Sequence, residues 1–274
     1  MALSEQQIRT ITGLTLAAAL GVFIFHGGVA LRLLVLAVSV LALLEFYTMY
    51  WPGRQFPGRK IAGLLFGAGI VLSQALGPQW TVMAVILSLV AVSLAFLVTF
   101  GTGRPETRFE QFGPLVHGLV YIPLVLQLAL YLNPSEQCLV MLAAVAADTG
   151  GYYGGRHFGK RKLWPSVSPK KTRAGFTGGI LLTVAVCAAQ GLLGSHLGWS
   201  LPAIPLWGWP CAGVVLCLAA QFGDFFESAL KRSLEVKDSG TLLPGHGGLL
   251  DRIDSVLFVL PVYMAGRMLL AATA

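Results

Sequence analysis

Long apolar stretches recur along the whole chain of 274 residues. A helix of roughly 20 apolar residues is long enough to cross ~30 Å of hydrocarbon. Only 11% of the residues are charged, against roughly 25% in soluble domains, so too few charges are available to cover a water-facing surface. We therefore predict an all-α, polytopic integral membrane protein with one transmembrane domain over residues 1–274. Its nine predicted spans lie near 10–28, 30–50, 61–76, 80–100, 114–132, 136–154, 176–197, 208–230 and 250–272.

The first apolar stretch could be mistaken for a secretory signal peptide, since it follows a short polar lead that contains Arg9. It lacks a clear small-x-small cleavage site and runs almost directly into the second stretch. We interpret it as the first span. Residues 1–135 then hold the N-terminal spans, and residues 136–274 hold the spans and loops that carry the candidate catalytic residues.

The basic residues indicate how the chain is oriented. Of the 19 Lys and Arg residues, 17 lie before the first span, at the start of the last span, or in the connections after spans two, four, six and eight. The positive-inside rule places these segments in the cytoplasm, which predicts a cytoplasmic N-terminus and an external C-terminus. A net charge of +7 would suggest nucleic-acid binding in a soluble protein. Here the placement indicates membrane orientation, and we expect no nucleic-acid partner.

Acidic residues are rare, and five of the twelve lie in spans six, eight and nine away from their predicted outer ends. A carboxylate at membrane depth costs at least ~2.5 kcal/mol, and such groups usually mark an ion or substrate path. The five residues are Asp148, Asp224, Glu227, Asp251 and Asp254.

Their spacing predicts a shared site. Asp224 and Glu227 are three residues apart, with Lys231 one turn further along the same helix face. Asp251 and Asp254 repeat this spacing at the start of the last span. Two such faces at one depth suit Mg²⁺, which binds a few carboxylates and leaves its other positions to water and phosphates. Alternatively, Lys231, Arg232 and Arg252 could simply pair with the acids to close a helix junction.

Two polar stretches flank these acids. The loop "KDSGTLLPGHGGLLDR" (237–252) is rich in glycine, which lets backbone amides approach a phosphate closely. The stretch "ADTGGYYGGRHFGKRKLWPSVSPKKTRAGFTGG" (147–179) combines seven cations with glycines, prolines and hydroxyl groups. A polybasic patch on anionic lipid is the alternative interpretation. Lipid attraction does not require the interleaved glycines and hydroxyls, so we favour a phosphate pocket.

These motifs resemble a known family. The stretch "SALKRSLEVKDSGTLLPGHGGLLDRID" (228–254) is similar to the signature of the phosphatidate cytidylyltransferases, the CDP-diacylglycerol synthases. The match in spacing runs from Ser228 through the pairs at 231–232 and 237–238 and the triplet at 246–248 to Asp254. The stretch "DTGGYYGGRHFGKRKLWPSVSPKKTRAGFTGG" resembles the family's second characteristic block. Together the two cover about a fifth to a quarter of the chain.

The resemblance implies a Mg²⁺-dependent nucleotidyltransferase of phospholipid biosynthesis, with a second cation possible. It would convert CTP and phosphatidic acid to CDP-diacylglycerol and pyrophosphate at the cytoplasmic face of a bacterial-type inner membrane. Membrane lipids would be further partners, and a homodimer is possible.

Each candidate site residue has an expected role. The expected catalytic residues are Asp148, Asp224, Asp251, Lys231, Arg232 and Arg252. The expected metal ligands are Asp224, Asp251, Glu227 and Asp254. The expected substrate-binding residues are Ser168, Lys170, Lys171, Thr172, Lys237, Asp238, His246, Gly247 and Gly248.

Two other functions remain open at this point. A related lipid nucleotidyl or phosphoryl transferase could act on a polyprenyl or other lipid phosphate. A cation or proton transporter could use Asp148, Asp224 and Asp251 as a relay. A relay would place acids at several depths, whereas the outer connections carry only Glu136, so the enzyme is favoured.

Overall fold

The computed structural model describes residues 5–102, 108–243 and 247–273. Within these ranges the chain is almost entirely helical, apart from one antiparallel pair of short strands. The elements are α1 (Glu5–His26), α2 (Gly28–Tyr50), α3 (Pro57–Ser73), α4 (Pro78–Gly101), α5 (Gly113–Tyr121), α6 (Pro123–Leu126), α7 (Pro134–Phe158), β1 (Lys162–Trp164), β2 (Ser168–Thr172), α8 (Arg173–Leu197), α9 (Gly208–Ser233) and α10 (Leu250–Thr273).

Among the described residues, seven helical segments are long and apolar enough to cross a membrane. They are Gly28–Tyr50, Pro57–Leu76, Pro78–Gly101, Phe109–Tyr131, Arg173–Gly194, Gly208–Ser233 and Leu250–Thr273. The prediction of an all-α polytopic membrane protein is confirmed. The two other predicted spans correspond to α1 and α7, and α7 is the more polar because it carries Glu136, Asp148 and a run of glycines. The count of nine and the orientation stay predictions.

Helix α4 illustrates why the surface requires a lipid environment. Large aliphatic side chains are exposed along its length, among them Ile86, Leu87, Leu94 and Leu97. A water-soluble domain rarely exposes a continuous apolar patch of this kind. In a bilayer the same side chains face hydrocarbon, so the helix needs no protein cover.

The chain forms two compact units. The first contains the residues up to Leu130 together with Asp238–Leu250, and the second contains Tyr131–Lys237 together with the residues from Asp251 onward. In the first unit, the Tyr47 ring is fully buried and lies where a Cβ on Gly63 or Gly118 would collide with it. Its hydroxyl donates a hydrogen bond to the carbonyl oxygen of Leu115 at 3.2 Å. Glycine at these positions therefore lets α3 and α5 pack closely around one aromatic ring of α2.

In the second unit, glycines bring the backbones of α7 and α8 into direct contact. A Cβ on Gly178 would lie 2.6 Å from the carbonyl oxygen of Gly150, and one on Gly175 would lie 2.7 Å from that of Gly151. Small residues at a helix crossing allow this approach in membranes. The crossing brings the acid on α7 close to the start of α8.

A buried ion pair joins α7 to α10 elsewhere in the second unit. The Glu136 carboxylate lies 3.3 Å from Arg267 Nε and accepts a hydrogen bond from the Tyr263 hydroxyl at 3.1 Å. Glu136 also forms a capping box with Asn133 at the start of α7. These contacts satisfy an acid that would otherwise be costly to bury.

Candidate active site

A cavity of about 450 Å³ opens in the second unit at the junction of α7, β2, α8 and α9. Asp148 of α7 and Asp224 of α9 line it together with three consecutive residues that end β2, Lys170, Lys171 and Thr172. The cavity therefore brings together five of the predicted site residues from stretches separated by up to 76 positions in the sequence. Both carboxylates and ammonium groups face one volume large enough for a phosphate group.

Lys171 is the cation held most directly against an acid in this cavity. Its Nζ lies 2.5 Å from Asp224 Oδ2 and 4.0 Å from the centre of the Phe225 ring. The Phe225 ring in turn packs against Trp164 of β1, and the centroids of the two rings are 5.8 Å apart. Lys171 of the hairpin is thus held against α9 by an ion pair and by an aromatic ring.

Thr172 connects the hairpin to α8. It is the N-cap residue of that helix, and its hydroxyl oxygen accepts a hydrogen bond from the Gly175 N–H at 3.1 Å. Threonine suits this position because its side chain satisfies one of the free N–H groups of the first turn. The hydroxyl proton stays available for donation into the cavity that Thr172 lines.

A second charged cluster lies on α9 and α10. Lys231 Nζ donates a hydrogen bond to Asp251 Oδ1 at 2.5 Å and lies 3.4 Å from Glu227 Oε2. Glu227 is fully buried, and its carboxylate interacts with Lys231 and with Asp254. The predicted i, i+4 relation of Glu227 and Lys231 on one helix face is confirmed by this contact.

Asp254 links the two clusters. It interacts electrostatically with Asp224 and Lys231, and Asp148 interacts with both Asp224 and Asp254. The Asp254 carboxylate also accepts a hydrogen bond from the Ser255 N–H at 2.6 Å. Acids from α7, α9 and α10 therefore form one mutually repelling group, in which nearby cations offset part of the repulsion.

The donor chemistry of this group fits a hard divalent cation. All five acids offer carboxylate oxygens, the ligand type that Mg²⁺ uses. Among the described residues, no three His, Cys, Asp or Glu side chains already form a cluster that could hold a metal ion. Lysines stand next to the acids instead, at Asp224 and at Asp251.

Several predicted site residues lie outside these clusters. Arg232 is exposed in the last turn of α9, and Lys237 and Asp238 are exposed in the connection that follows. Ser168 pairs with Trp164 in the hairpin and does not line the cavity. Arg252, in the first turn of α10, is different, because it interacts electrostatically with Asp148 and so belongs with the acidic group. His246 lies outside the described residues.

Residues of the glycine-rich loop (237–252) contact Glu45 of α2, which is not among the predicted site residues. The Leu250 N–H donates a hydrogen bond to its Oε2 at 2.8 Å, and a Cβ on Gly248 would lie 2.9 Å from the same oxygen. Gly247 adopts a positive φ of 80° and bridges to Leu243. An acid inside an apolar span was the signal that could have identified Glu45. A phosphate contact by Gly247 or Gly248 stays a prediction.

The comparison with known proteins identifies the family of the chain. Residues 7–269 match the model of the cytidylyltransferase family. The chain belongs to this family. It is therefore a nucleotidyltransferase, and both the family resemblance and the enzyme class predicted from the sequence are confirmed.

Three curated relatives extend the match over nearly the whole chain. Each is named phosphatidate cytidylyltransferase. The relative from Staphylococcus epidermidis (strain RP62A) is 32% identical over 264 residues, 93% of this chain and 96% of its own. Those from Staphylococcus saprophyticus and Staphylococcus aureus (strain COL) are 32% identical over 263 and 265 residues, with the same coverage. The similarity therefore includes the N-terminal unit, where the sequence motifs gave no family signal.

Proposed function

We propose that the enzyme is a phosphatidate cytidylyltransferase, which converts CTP and phosphatidic acid to CDP-diacylglycerol and pyrophosphate in phospholipid biosynthesis. The observation that carries the proposal is the cavity in which Lys170, Lys171 and Thr172 face Asp148 and Asp224. Cations and hydroxyl groups suit phosphates, while carboxylates suit a metal ion that accompanies a nucleotide. The names of the relatives support the choice of substrates.

The reaction requires positioning and charge neutralisation more than acid–base chemistry. An oxygen of the lipid phosphate attacks the α-phosphorus of CTP, and the bond from the α-phosphorus to the bridging oxygen of the β-phosphate breaks. Pyrophosphate leaves with that oxygen and its electron pair. No general base is needed, because a phosphate monoester is already largely ionised at pH 7. Both reactants are anionic, so fixed cations must hold them in line.

Lysine and hydroxyl side chains at the cavity can provide that positioning. Lys170 and Lys171 supply positive charge to the phosphates, and the hydroxyl of Thr172 can donate a hydrogen bond to a phosphate oxygen. Lys231 holds Asp251, and the ion pair orients that carboxylate in the first turn of α10. Arg232, Arg252 and His246 complete the proposed set of phosphate contacts.

The acidic residues would hold Mg²⁺, with a second cation possible. Asp224, Asp251, Glu227 and Asp254 are the proposed ligands, and Asp148 supports them in the same electrostatic group. When bound, the ion would withdraw electron density from the phosphate oxygens and reduce the repulsion between the reactants. Lys171 would then exchange its ion pair with Asp224 for a contact with substrate phosphate.

The proposed location follows from where the substrates are found. CTP is water-soluble and phosphatidic acid moves laterally in the bilayer, so a site at headgroup depth would serve both. We propose that this site faces the cytoplasm and that the protein resides in the cytoplasmic membrane. A homodimer remains part of the proposal on the basis of the family resemblance.

The decisive experiment uses purified protein in detergent micelles that contain phosphatidic acid. With Mg²⁺ and radiolabelled CTP, we expect label to appear in CDP-diacylglycerol, and we expect EDTA to abolish it. Parallel reactions with labelled ATP, GTP and UTP should give at most background. Reactions with a polyprenyl phosphate in place of phosphatidic acid serve as the acceptor control.

Two results would change the proposal. Transfer only to the polyprenyl phosphate would identify a related lipid nucleotidyltransferase. No transfer from any nucleotide by well-folded protein would contradict the proposed reaction altogether.

A further inference from the structure

Glu45 is a buried carboxylate in an otherwise apolar stretch of α2. Only 6% of its surface is exposed, and the neighbouring positions in the helix are Leu44 and Phe46. Burying an unpaired carboxylate is strongly unfavourable, so its retention requires compensating contacts. Those contacts come from one segment of the same compact unit, the loop that contains residues 238–250.

The loop donates hydrogen bonds to Glu45 from both of its ends. The Ser239 hydroxyl donates to Oε2 at 3.4 Å, and the Leu250 N–H donates to the same oxygen at 2.8 Å. Leu250 is the first residue of α10, whose leading N–H groups have no partner within the helix. The carboxylate therefore acts as an N-terminal cap from another helix, and its negative charge interacts favourably with the helix dipole.

Two glycines of the loop lie directly against the carboxylate. A Cβ on Gly240 would overlap Glu45 Oε1 and would lie 2.7 Å from its Cδ, and the three nearest atoms all belong to Glu45. A Cβ on Gly248 would lie 2.9 Å from Oε2. Gly240 thus leaves room for the Glu45 side chain, and Gly248 leaves room for Ser239 and the Gly240 backbone as well as for Glu45.

We propose that Glu45 is a positioning residue for the transferase reaction. It ties the loop ends together and fixes the first residue of α10, so that the next residue, Asp251, is held where Lys231 meets it. Glu45 acts through the backbone and does not touch substrate. The inference rests on the proposed function, since Asp251 is assigned to the metal and phosphate site there.

The first test compares three variants in the CTP and phosphatidic acid assay. E45A should lower kcat by about 10- to 100-fold, because a displacement of about 1 Å at a reacting group can cost that much. E45Q keeps an acceptor for Leu250 and nearly the same volume, so it should retain activity within about fivefold of wild type. S39A is the matched control, since Ser39 is fully buried in the same helix and has no hydrogen-bond partner among the described residues.

Hydrogen exchange measures the contact between Glu45 and the Leu250 N–H without any need for turnover. Hydrogen exchange of the peptide around Leu250 should accelerate in E45A and stay unchanged in S39A and E45Q, because only E45A removes the acceptor. If E45A keeps wild-type kcat per folded molecule while only its thermal stability falls, Glu45 is structural and the inference is wrong.

A double-mutant cycle tests the geometry directly. G240A should lose most activity in the wild-type background, since the three atoms nearest to its methyl group all belong to Glu45. In the E45A background that space is empty, so adding G240A should cause no further loss. Equal losses in both backgrounds would overturn the inference. If wild-type protein itself transfers no label, the proposed function fails, and the exchange data still decide whether Glu45 anchors the loop.

Discussion

At the scale of single residues, the site consists of lysines paired with acids. Lys171 contacts Asp224, and Lys231 contacts both Glu227 and Asp251. The side chains are only partly exposed, so each charge would be costly without its partner. Each lysine compensates a carboxylate, and we propose that each also binds a phosphate.

Lys171 gives the sharpest test at this scale. K171M keeps the length of the side chain but removes the charge from the cavity, and we expect kcat/KM for CTP to fall at least about 100-fold, the range found when a preorganised electrostatic contact is removed. Steady-state assays in micelles measure the change. K160M is the matched control, because Lys160 is exposed in the same basic stretch and does not line the cavity. Activity of K171M close to that of K160M would exclude a phosphate contact by Lys171.

At the scale of elements, the crossing of α7 and α8 places Asp148 opposite the residues at the end of β2. Glycines on both helices permit the crossing, and the N-cap Thr172 starts α8 directly after the strand. Most apolar side chains of a membrane helix pack as well against lipid as against another helix. Close backbone contact therefore supplies much of the specificity of helix pairing. The crossing therefore decides where along α7 and α8 the candidate site lies.

Two neighbouring glycines of α7 test this arrangement. A Cβ at Gly150 would overlap the carbonyl oxygen of Gly178 and lie 2.9 Å from Leu182 Cβ, whereas one at Gly151 would lie 3.8 Å from the nearest atom. We expect G150A to destabilise the protein by about 1–3 kcal/mol, the usual cost of overpacking. G151A should be neutral or slightly stabilising, because alanine favours helix. Thermal melts in detergent would measure both, and equal melting temperatures would show that the backbones are not in contact.

At the scale of the whole molecule, the distribution of charge predicts the orientation. Lys and Arg are concentrated in alternate connections, as the positive-inside rule requires for a chain that crosses the membrane nine times. Under this topology the basic stretch before α8 is cytoplasmic and the connection after α8 is external. The proposed site requires that the basic stretch before α8 is cytoplasmic, because CTP is found in the cytoplasm.

Cysteine labelling can test the orientation in vesicles. In a background without the four native cysteines, K160C should react with an impermeant maleimide only in inside-out vesicles, and S200C only in right-side-out vesicles. Both positions are exposed, so access is decided by the membrane. Labelling of both from the same side would mean that α8 does not cross the bilayer.

The sequence by itself determined the class of protein and its main helices, and it predicted the acids and cations of the candidate site. Apolar length, charge placement and helix spacing are local properties, so Glu227 and Lys231 could be placed on one face from their numbers alone. Long motifs likewise identified the family.

Only the tertiary structure decided which distant groups meet. It paired Lys171 with Asp224 and Lys231 with Asp251, and it wrapped the loop around Glu45, about 200 residues away in the chain. It also formed a β-hairpin where the sequence suggested only a loop. Such contacts depend on how helices cross, and the crossing is decided by backbone packing at glycines that no periodic pattern along a single helix reveals.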